Sequence, residues 1–240
     1  MNTNLIQSNF KKVLEEIDTC CNLYKRDSNT VKLVVVTKSQ SYEKIESVIS
    51  AGAEFLGENY PEETIAKKTK IQNLSQKIQW HMIGHLQSRK TQMVIDNFHF
   101  LHSLDSVKLA TRLNRQLKEQ NQYFNILLQF NVGGEESKFG WNASKEESWD
   151  LLLDDVVQIL SCDQLQVKGL MTMPPFTTQE KEARIAFKKL RELGDFLTKK
   201  IPDLQITEYS MGTSHDFRMA IAEGSTMIRV GEAIMGPRDT

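Results

Sequence analysis

The sequence predicts an α/β protein built as a single (β/α)8 TIM barrel with an extra helix at its N-terminus. Short apolar runs typical of buried strands alternate along the chain with longer segments whose apolar residues recur at helical spacing. Eight strand candidates separated by helices are typical of repeated βα units in a closed parallel barrel. The length of 240 residues also suits one such barrel. We therefore expect one domain spanning residues 1–240.

The strands are predicted from short apolar runs. The first of these runs, over 31–37, is apolar on both faces, as expected of a parallel strand that is covered by helices. The predicted strands cover, in order, 31–37, 55–56, 78–83, 98–102, 124–131, 165–170, 205–209 and 226–230.

The helices are predicted from apolar stripes and from residues that suit helix ends. Ser41 is well placed to cap the helix after the first strand, and Gly52 is well placed to end it. Pro61 suits the first turn of a helix, and either Asp105 or Ser106 caps another. The predicted helices cover 4–23, the segment between 41 and 52, 61–72, a segment beginning after 87, 106–120, 146–160, 178–200 and 214–223, and the polar stretch 132–145 is predicted to be a surface loop.

A doubly wound open sheet is the alternative topology for alternating strands and helices. The first predicted strand is not followed by G-x-G-x-x-G, and G-x-x-x-x-G-K-[ST] occurs nowhere in the chain. No phosphate-loop signature therefore supports the open sheet. No linker or low-complexity stretch divides the chain either, which favours one domain.

Charge and cysteine content narrow the class of protein. The formal net charge is -1, from 30 Lys+Arg against 31 Asp+Glu, so no global electrostatic argument favours nucleic acid or an anionic membrane. Residues 1–8 contain no apolar core of signal-peptide length, and no later run is long enough to span a bilayer. Three cysteines without metal-site spacing predict reduced thiols. We expect a cytoplasmic protein that binds neither nucleic acid nor membranes.

Lys38 stands at the end of the first predicted strand, directly before the polar segment 39–41. In a parallel barrel the carboxyl ends of the strands form the ligand-binding face, so this amine would lie at the mouth of the barrel. A desolvated lysine there can lose its proton and act as a nucleophile that forms a Schiff base. A lysine whose amine simply reaches solvent is the alternative interpretation.

A hydroxyl-rich turn over 210–214 follows the seventh predicted strand, and Gly231 follows the eighth. The backbone N–H groups and hydroxyls of such a turn suit a phosphate, and Gly231 would let a second backbone segment approach the same anion. The alternative is an ordinary helix N-cap, with Ser214 as the cap and Asp216 in the first turn. The position after these two strands favours phosphate, which barrels often bind there.

Arg229 lies inside the end of the eighth predicted strand. A guanidinium at that place either pairs with a carboxylate or faces an acceptor on a ligand, and the sequence leaves both open. The histidines do not have metal-site spacing. His81 and His85 are four residues apart, but Gly84 and the strand pattern exclude a helical zinc pair, so we expect no metal.

Six segments at the predicted strand ends together resemble the YggS/PROSC family of pyridoxal phosphate homeostasis proteins. The resemblance runs from about residue 10 to 236, nearly the whole chain. The segments are Thr37-Lys38, Gly57-Glu58-Asn59-Tyr60, His81-Met82-Ile83-Gly84-His85-Leu86-Gln87-Ser88, Gly169-Leu170-Met171, Ser210-Met211-Gly212 and Ile228-Arg229-Val230-Gly231.

The resemblance implies a barrel like the N-terminal domain of alanine racemase, with pyridoxal 5′-phosphate (PLP) as its cofactor. It implies that Lys38 carries the cofactor as a Schiff base and that Asn59 lies near the ring. Arg229 would face the pyridine nitrogen. Because arginine keeps its proton, that nitrogen would stay unprotonated and the ring would be a weak electron sink. The cofactor-binding residues implied around the phosphate are Ser210, Met211, Gly212, Thr213 and Gly231.

We expect a protein that holds PLP in intracellular vitamin B6 homeostasis without catalytic turnover, and hence with no catalytic residue. Racemisation needs bases on both faces of the substrate Cα. The chain ends at Thr240, which leaves no room for the separate domain that, by resemblance, supplies the second base in alanine racemase. An amino-acid racemase is nevertheless one alternative, with Tyr60 and Tyr209 as candidate second bases. A Schiff-base barrel aldolase is another. We expect a monomer that makes transient contact with PLP-dependent apoenzymes.

Overall fold

A computed structural model describes residues 3–71, 77–175, 177 and 179–237. The strands in these residues are β1 (Lys32–Val36), β2 (Phe55–Glu58), β3 (Gln79–Met82), β4 (Phe100–Leu104), β5 (Phe124–Asn131), β6 (Trp141–Asn142), β7 (Leu165–Met171), β8 (Glu208–Ser210) and β9 (Met227–Val230). The α-helices are α1 (Thr3–Leu23), α2 (Tyr42–Ser50), α3 (Pro61–Lys70), α4 (Thr91–Asn97), α5 (Val107–Glu119), α6 (Leu153–Leu160), α7 (Glu180–Lys200), α8 (Phe217–Ala222) and α9 (Glu232–Met235). Short 3-10 helices cover Ser28–Thr30, Ser88–Lys90 and Glu146–Leu152.

The strands close into a parallel barrel, which confirms the predicted (β/α)8 fold. Around the ring the described strands follow the order β1-β2-β3-β4-β5-β7-β8-β9, and β9 pairs with β1 to close it. The two-residue strand β6 extends the sheet beyond β5 and is not a member of the ring. Because all ring pairings are parallel, the carboxyl ends of these strands meet at one face of the barrel.

The predicted strands are all found, but the bounds of three strands and one loop are wrong. The second strand ends at Glu58 and not at 56. The fourth strand runs over 100–104 and not 98–102, because it continues through the buried polar residue Ser103 to Leu104. The seventh begins at Glu208 and not at 205, since its ladder with β7 starts there. The predicted loop 132–145 contains β6. Residues 72 and 178, at the ends of two predicted helices, lie outside the described residues.

Side chains alternate between the interior of the barrel and the layer under the helices. Four buried apolar side chains from four ring strands form a cluster apart from the main core, and this cluster fills part of the interior: Phe100, Leu127, Met171 and Met227. The main core lies between the ring and the surrounding helices. On β9 the alternation places Arg229 on the same face as Met227, so the arginine points into the barrel.

The predicted N-terminal helix is present as α1 and packs outside the ring against α2, α8 and α9. Helix α1 also makes a polar contact with α9, where the Asn9 amide donates to the carbonyl oxygen of Ile234 at 3.3 Å. Helix α1 therefore supports the segments that follow β1 and β9. No helix within the ranges 3–71, 77–175 and 179–237 is both long and apolar enough to cross a membrane.

Several predicted helix ends are also found. Pro61 is the first residue of α3, and Gly52 follows α2 with a φ of 105°, a left-handed conformation that favours glycine. Ser106, and not the alternative Asp105, caps α5, and its hydroxyl accepts the N–H of Leu109 at 3.4 Å. These ends fix where each helix leaves the ring.

Candidate functional site

A cavity of about 660 Å³ opens at the carboxyl face of the barrel. Sites for small ligands typically enclose about 300–1,000 Å³. The wall is built mainly from the segments that follow β1, β2, β7, β8 and β9. It is lined by Val36, Lys38, Gln40, Asn59, Ile83, Met173, Thr213, Ser214, His215, Arg229, Gly231, Glu232, Gly236 and Pro237.

The structure brings most of the predicted site residues together at this cavity. Those that line it are Lys38, Asn59, Thr213, Arg229 and Gly231. The three other predicted residues, Ser210, Met211 and Gly212, are not among its lining residues.

Lys38 is partly exposed and follows β1, between the ends of β2 and β9. The Thr37 N–H donates to the carbonyl oxygen of Gly57 at 3.0 Å, so the backbone stays tied to the sheet as far as the residue before the lysine. Ser39 then has a φ of 54°, which non-glycine residues rarely adopt. The backbone is thus restrained on both sides of Lys38, which fixes the point from which its side chain enters the cavity.

Asn59 is positioned by a close approach between the segments after β2 and β3. A Cβ atom on Gly84 would lie 2.8 Å from the Cα, Cβ and carbonyl oxygen of Asn59. A Cβ on Gly57 would similarly lie 2.9 Å from the Cδ1 of Ile83. A side chain on Gly84 would meet the backbone of Asn59, so this position requires glycine, whereas one on Gly57 would displace the end of the Ile83 side chain.

Arg229 lies on β9 at the base of the cavity and is only 3% exposed. Its guanidinium donates to the Ser210 hydroxyl, to the carbonyl oxygen of Thr172 at 2.8 Å and to the sulfur of Met173 at 2.8 Å. None of these three partners is a carboxylate. Burial lowers the pKa of Arg229 to about 10, an effect that the charge of Asp216 opposes, so the side chain keeps its proton at neutral pH.

The three residues that end β8 and begin the next turn support the site from below. Ser210 is fully buried beneath Arg229, and Met211 belongs to the main core. Gly212 has a φ of 96°, and a Cβ there would lie 2.6 Å from the Cβ of Ala220 on α8. Their predicted role at a phosphate stays a prediction, whereas their structural role is to shape the turn and hold the arginine.

A chain of buried polar contacts runs from Arg229 into the barrel interior. Ser210 Oγ lies 2.8 Å from Nδ1 of His102, and Nε2 of His102 lies 2.8 Å from Nδ1 of His81. Nε2 of His81 has no hydrogen-bond partner among the described residues. Burial lowers the pKa of His81 to about 3 and holds the pKa of His102 well below its usual range, so both rings are neutral at pH 7.

Ser214 joins the segments that follow β8 and β9. The sequence allowed it to cap the next helix, but α8 begins only at Phe217, and that interpretation is wrong. The Ser214 hydroxyl instead accepts the N–H groups of Gly231 and Ala233, each at 3.2 Å. A hydroxyl oxygen that accepts two such bonds keeps its own proton for a third partner.

Asp216 orders the other side of the same turn. One carboxylate oxygen accepts the backbone N–H of Thr213 at 2.6 Å and the Thr213 hydroxyl at 2.9 Å. Its charge also acts on the buried Arg229. The turn over 213–216 is therefore held in shape by its own side chains. Within the described part of the chain, no group of three His, Cys, Asp or Glu side chains is arranged to hold a metal ion.

Sequence reasoning missed several side chains of the cavity wall. The amide of Gln40 donates to the carbonyl oxygen of Pro237 at 3.4 Å and so closes one side. His215 and Glu232 face each other at the rim, with Nε2 and Oε2 3.5 Å apart. Glu232 directly follows Gly231, a predicted site residue. Including one further residue after the eighth predicted strand would therefore have found it. No local pattern marks Gln40 or Pro237.

Comparison with known proteins gives consistent matches over nearly the whole chain. The profile of the family described as alanine racemase, N-terminal domain, matches residues 14–239. The pyridoxal phosphate homeostasis protein of Haemophilus influenzae is 38% identical over 234 residues, which cover 98% of this chain and 96% of the relative. The protein of the same name from Escherichia coli is 33% identical over 239 residues, with 98% of each chain covered.

Solved structures show the same relationship. PipY of Synechococcus elongatus, solved with PLP bound, is 31% identical with a TM-score of 0.79, covering 92% of this chain and 100% of PipY. Its structure without PLP is 32% identical with a TM-score of 0.81, covering 93% and 99%. Alanine racemase from Bartonella henselae is 11% identical with a TM-score of 0.72, covering 100% of this chain and 62% of that one. That last likeness is one of fold alone.

Proposed function

The chain belongs to the family of the pyridoxal phosphate homeostasis proteins, and we propose on this premise that it binds PLP and takes part in intracellular vitamin B6 homeostasis. In this proposal Lys38 holds the cofactor as a Schiff base. The observation that carries the proposal is one cavity lined by Lys38, by Ser214 between two backbone turns and by the buried Arg229.

The chemistry of the cavity wall fits the parts of PLP. The turn over 213–216 and the segment from Gly231 meet at one side of the cavity. There the Ser214 hydroxyl accepts the N–H groups of Gly231 and Ala233 and keeps its own proton, which a phosphate would accept. A Cβ on Gly231 would lie 3.1 Å from the Cβ of Val36, so glycine keeps this approach open. Asn59 would lie beside the ring, and Lys38 would meet the aldehyde.

The proposed attachment is a reversible condensation. The amine of Lys38 adds to the aldehyde carbon of PLP, a C=N bond replaces the C=O bond, and the aldehyde oxygen leaves as one molecule of water. Hydrolysis of the C=N bond restores the amine and the free aldehyde. The same residue can therefore hold the cofactor and release it, with no further reactant.

Arg229 supports a holding role over a catalytic one. A guanidinium offers only donors, and its pKa of about 10 keeps it protonated at neutral pH. A pyridine nitrogen that faces it would have to accept a hydrogen bond and would stay unprotonated. A ring in that state stabilises a carbanion less well than a protonated ring does, so we propose that turnover is negligible.

The proposal extends to the setting in which the protein works. PLP-dependent apoenzymes would receive the cofactor through transient contact with a monomer of this chain. The three cysteines, Cys20, Cys21 and Cys162, are buried as free thiols. Free thiols suit a reducing compartment such as the cytoplasm.

Absorbance spectroscopy of the purified protein, loaded with PLP, tests the proposal. The wild type should show an imine band that borohydride removes, leaving the reduced cofactor attached to Lys38 in a peptide digest. Lys38→Ala should lose the band. A band that persists in this variant at unchanged cofactor occupancy would show that Lys38 is not the anchor.

Lys32→Ala is the matched control for that experiment. Lys32 lies at the opposite end of the same strand, where it pairs with Glu208, and it does not line the cavity. Its replacement should leave the band intact. A colourless wild-type protein that traps a carbonyl substrate with borohydride would instead support the aldolase alternative.

A further inference from the structure

A buried cation lies behind the backbone of Lys38. Lys67 on α3 is 2% exposed, and its ammonium contacts three acceptors. Nζ lies 2.7 Å from the carbonyl oxygen of Thr37, 2.7 Å from Oε1 of Glu58 and 2.5 Å from Oε1 of Glu63. An ammonium has three N–H donors, so these three acceptors satisfy it completely.

The same cluster holds the backbone on both sides of Lys38. On one side, Glu58 also accepts the Thr37 hydroxyl at 2.6 Å, so both the carbonyl and the side chain of Thr37 are fixed. On the other side, Glu63 accepts the N–H of Ser39 at 2.8 Å. The contacts form a closed ring that runs from Lys67 through Thr37, Lys38 and Ser39 to Glu63 and back to Lys67.

The ring restrains a backbone conformation that is unfavourable by itself. Ser39 has a φ of 54°, a left-handed conformation that non-glycine residues rarely adopt. Such residues persist only where their surroundings determine the conformation. The carboxylate of Glu63 on the Ser39 N–H provides that restraint, and Lys67 in turn holds the carboxylate.

Stability alone does not explain the cluster that Lys67 forms with Glu58 and Glu63. Glu58 is fully buried, and its Oε2 has no hydrogen-bond partner among the described residues. Burial raises the pKa of Glu58, although Lys67 and the Thr37 hydroxyl oppose the rise. Buried ion pairs of this kind can often be replaced by apolar side chains without loss of stability. The geometry that the ion pair imposes is therefore a better explanation for its presence at this place.

We propose that Lys67 is the positioning residue for Lys38, acting through Thr37 and Glu63 to aim its amine at the aldehyde of the cofactor. This inference rests on the proposed Schiff base between Lys38 and PLP. Lys67 is not among the lining residues of the described cavity, and its ammonium contacts the backbone of Thr37 and the carboxylates of Glu58 and Glu63.

The test compares PLP with its alcohol analogue, pyridoxine 5′-phosphate, which has no aldehyde and cannot form an imine. Lys67→Met should lower imine formation with PLP by about 10-fold or more, because small errors in placing a reacting group weaken reaction strongly. Its affinity for pyridoxine 5′-phosphate should stay within about twofold of the wild type, since Lys67 takes no part in the proposed phosphate and ring contacts. Imine absorbance and borohydride trapping at Lys38 are the readouts.

Lys68→Met is the matched control. Lys68 is the next residue on α3, is half-buried and donates to the carbonyl oxygen of Asn97 at 2.8 Å, away from Lys38. This variant removes the same charge from the same helix and should leave imine formation unchanged. An equal loss in Lys68→Met would show that the effect is one of general helix stability and would overturn the proposal.

Glu63→Ala keeps the proposal testable if Lys67→Met does not fold. The Glu63 side chain is 30% exposed, so its removal leaves no large cavity, but it frees the Ser39 N–H and one contact of Lys67. It should lower imine formation and spare analogue binding. Normal imine formation in a folded Lys67→Met or Glu63→Ala overturns the inference. A wild type that binds neither PLP nor the analogue would instead refute the proposed function.

Discussion

Ser214 connects the two backbone turns at which the phosphate of PLP is proposed to bind. Its hydroxyl accepts two N–H groups, from Gly231 and Ala233, and retains a proton to donate to an anion. Ser214→Ala removes both functions. A hydrogen bond to a charged group contributes about 1.5–3 kcal/mol, so we expect the affinity for PLP to fall at least about 10-fold. Titration of the apoprotein with PLP measures the effect.

Two comparisons test whether the effect of Ser214→Ala depends on the phosphate group of PLP. Pyridoxal lacks the phosphate, so its affinity should be the same in Ser214→Ala and in the wild type. Ser106→Ala removes the cap of α5, away from the cavity, and should reduce stability by about 1 kcal/mol without changing the affinity for PLP. An equal loss of pyridoxal binding in Ser214→Ala would show that the serine maintains the fold and does not contact phosphate.

The same serine shows what a sequence can and cannot specify for a single residue. Lys38 and Arg229 could be predicted as cavity residues because their positions at strand ends follow from the barrel itself. The turn around Ser214 could be predicted too. The hydrogen bonds that the Ser214 hydroxyl accepts come from the segment after β9, which is distant from Ser214 in sequence. A local sequence pattern does not show that this segment approaches Ser214.

At the scale of strands, His81 on β3 and His102 on β4 couple neighbouring strands inside the barrel. Burial lowers the pKa of His81 to about 3 from 6.5. As the pH falls through this interval, the unfolded chain takes up a proton that the folded chain does not, so the free energy of unfolding decreases. We expect up to about 1.4 kcal/mol per pH unit from this residue. Urea denaturation at about pH 7 and about pH 5 measures it.

His81→Phe is the control for this pH dependence. Its ring can keep the packing against Phe55 and Phe100, but it cannot titrate. The variant should lose stability less steeply as the pH falls. Glu58 acts with the opposite sign, because its raised pKa favours the folded state at lower pH, and it contributes equally to both proteins. Equal slopes in the two proteins would exclude His81 as a source.

The residue that follows His102 shows why the strand bounds were harder to predict than the strands. An apolar run indicates a strand whose side chains contact other apolar groups. In β4 the strand continues past the predicted end at His102 to Ser103 and Leu104. Ser103 is polar but buried, and its hydroxyl donates to the carbonyl oxygen of Gly84 after β3. A buried polar residue within a strand does not differ in sequence from a polar residue at a strand end, so the prediction ended too early.

At the scale of the whole molecule, the fold could be predicted because each βα unit repeats the same pattern. Parallel strands joined by helices add one after another around the ring, and the eighth returns beside the first, as β9 does beside β1. The composition of the cavity was harder to predict, since its wall includes residues such as Gln40 and Pro237 that meet only when the ring has closed.

The arrangement of the whole cavity also predicts that amino acids are not racemised. Racemisation needs a base on each face of the Cα, and Lys38 would supply one. Neither candidate for the other base is among the lining residues of the described cavity. Tyr209 is buried, and Cζ of Arg191 lies 4.2 Å from the centroid of the tyrosine ring. Burial raises the pKa of Tyr209. Tyr60 is 53% exposed and lies outside the wall.

Because the unprotonated ring that we propose beside Arg229 would be a weak electron sink, we also expect the PLP-loaded protein to exchange the Cα proton of L-alanine with deuterated water no faster than free PLP does. Nuclear magnetic resonance of the alanine follows the exchange, and an alanine racemase shows that the assay detects turnover. Lys38→Ala should give the same low rate as the wild type. A wild-type rate well above that of free PLP and absent in Lys38→Ala would contradict the holding role. In that case His215, which lines the cavity, would be the first residue to test as the second base.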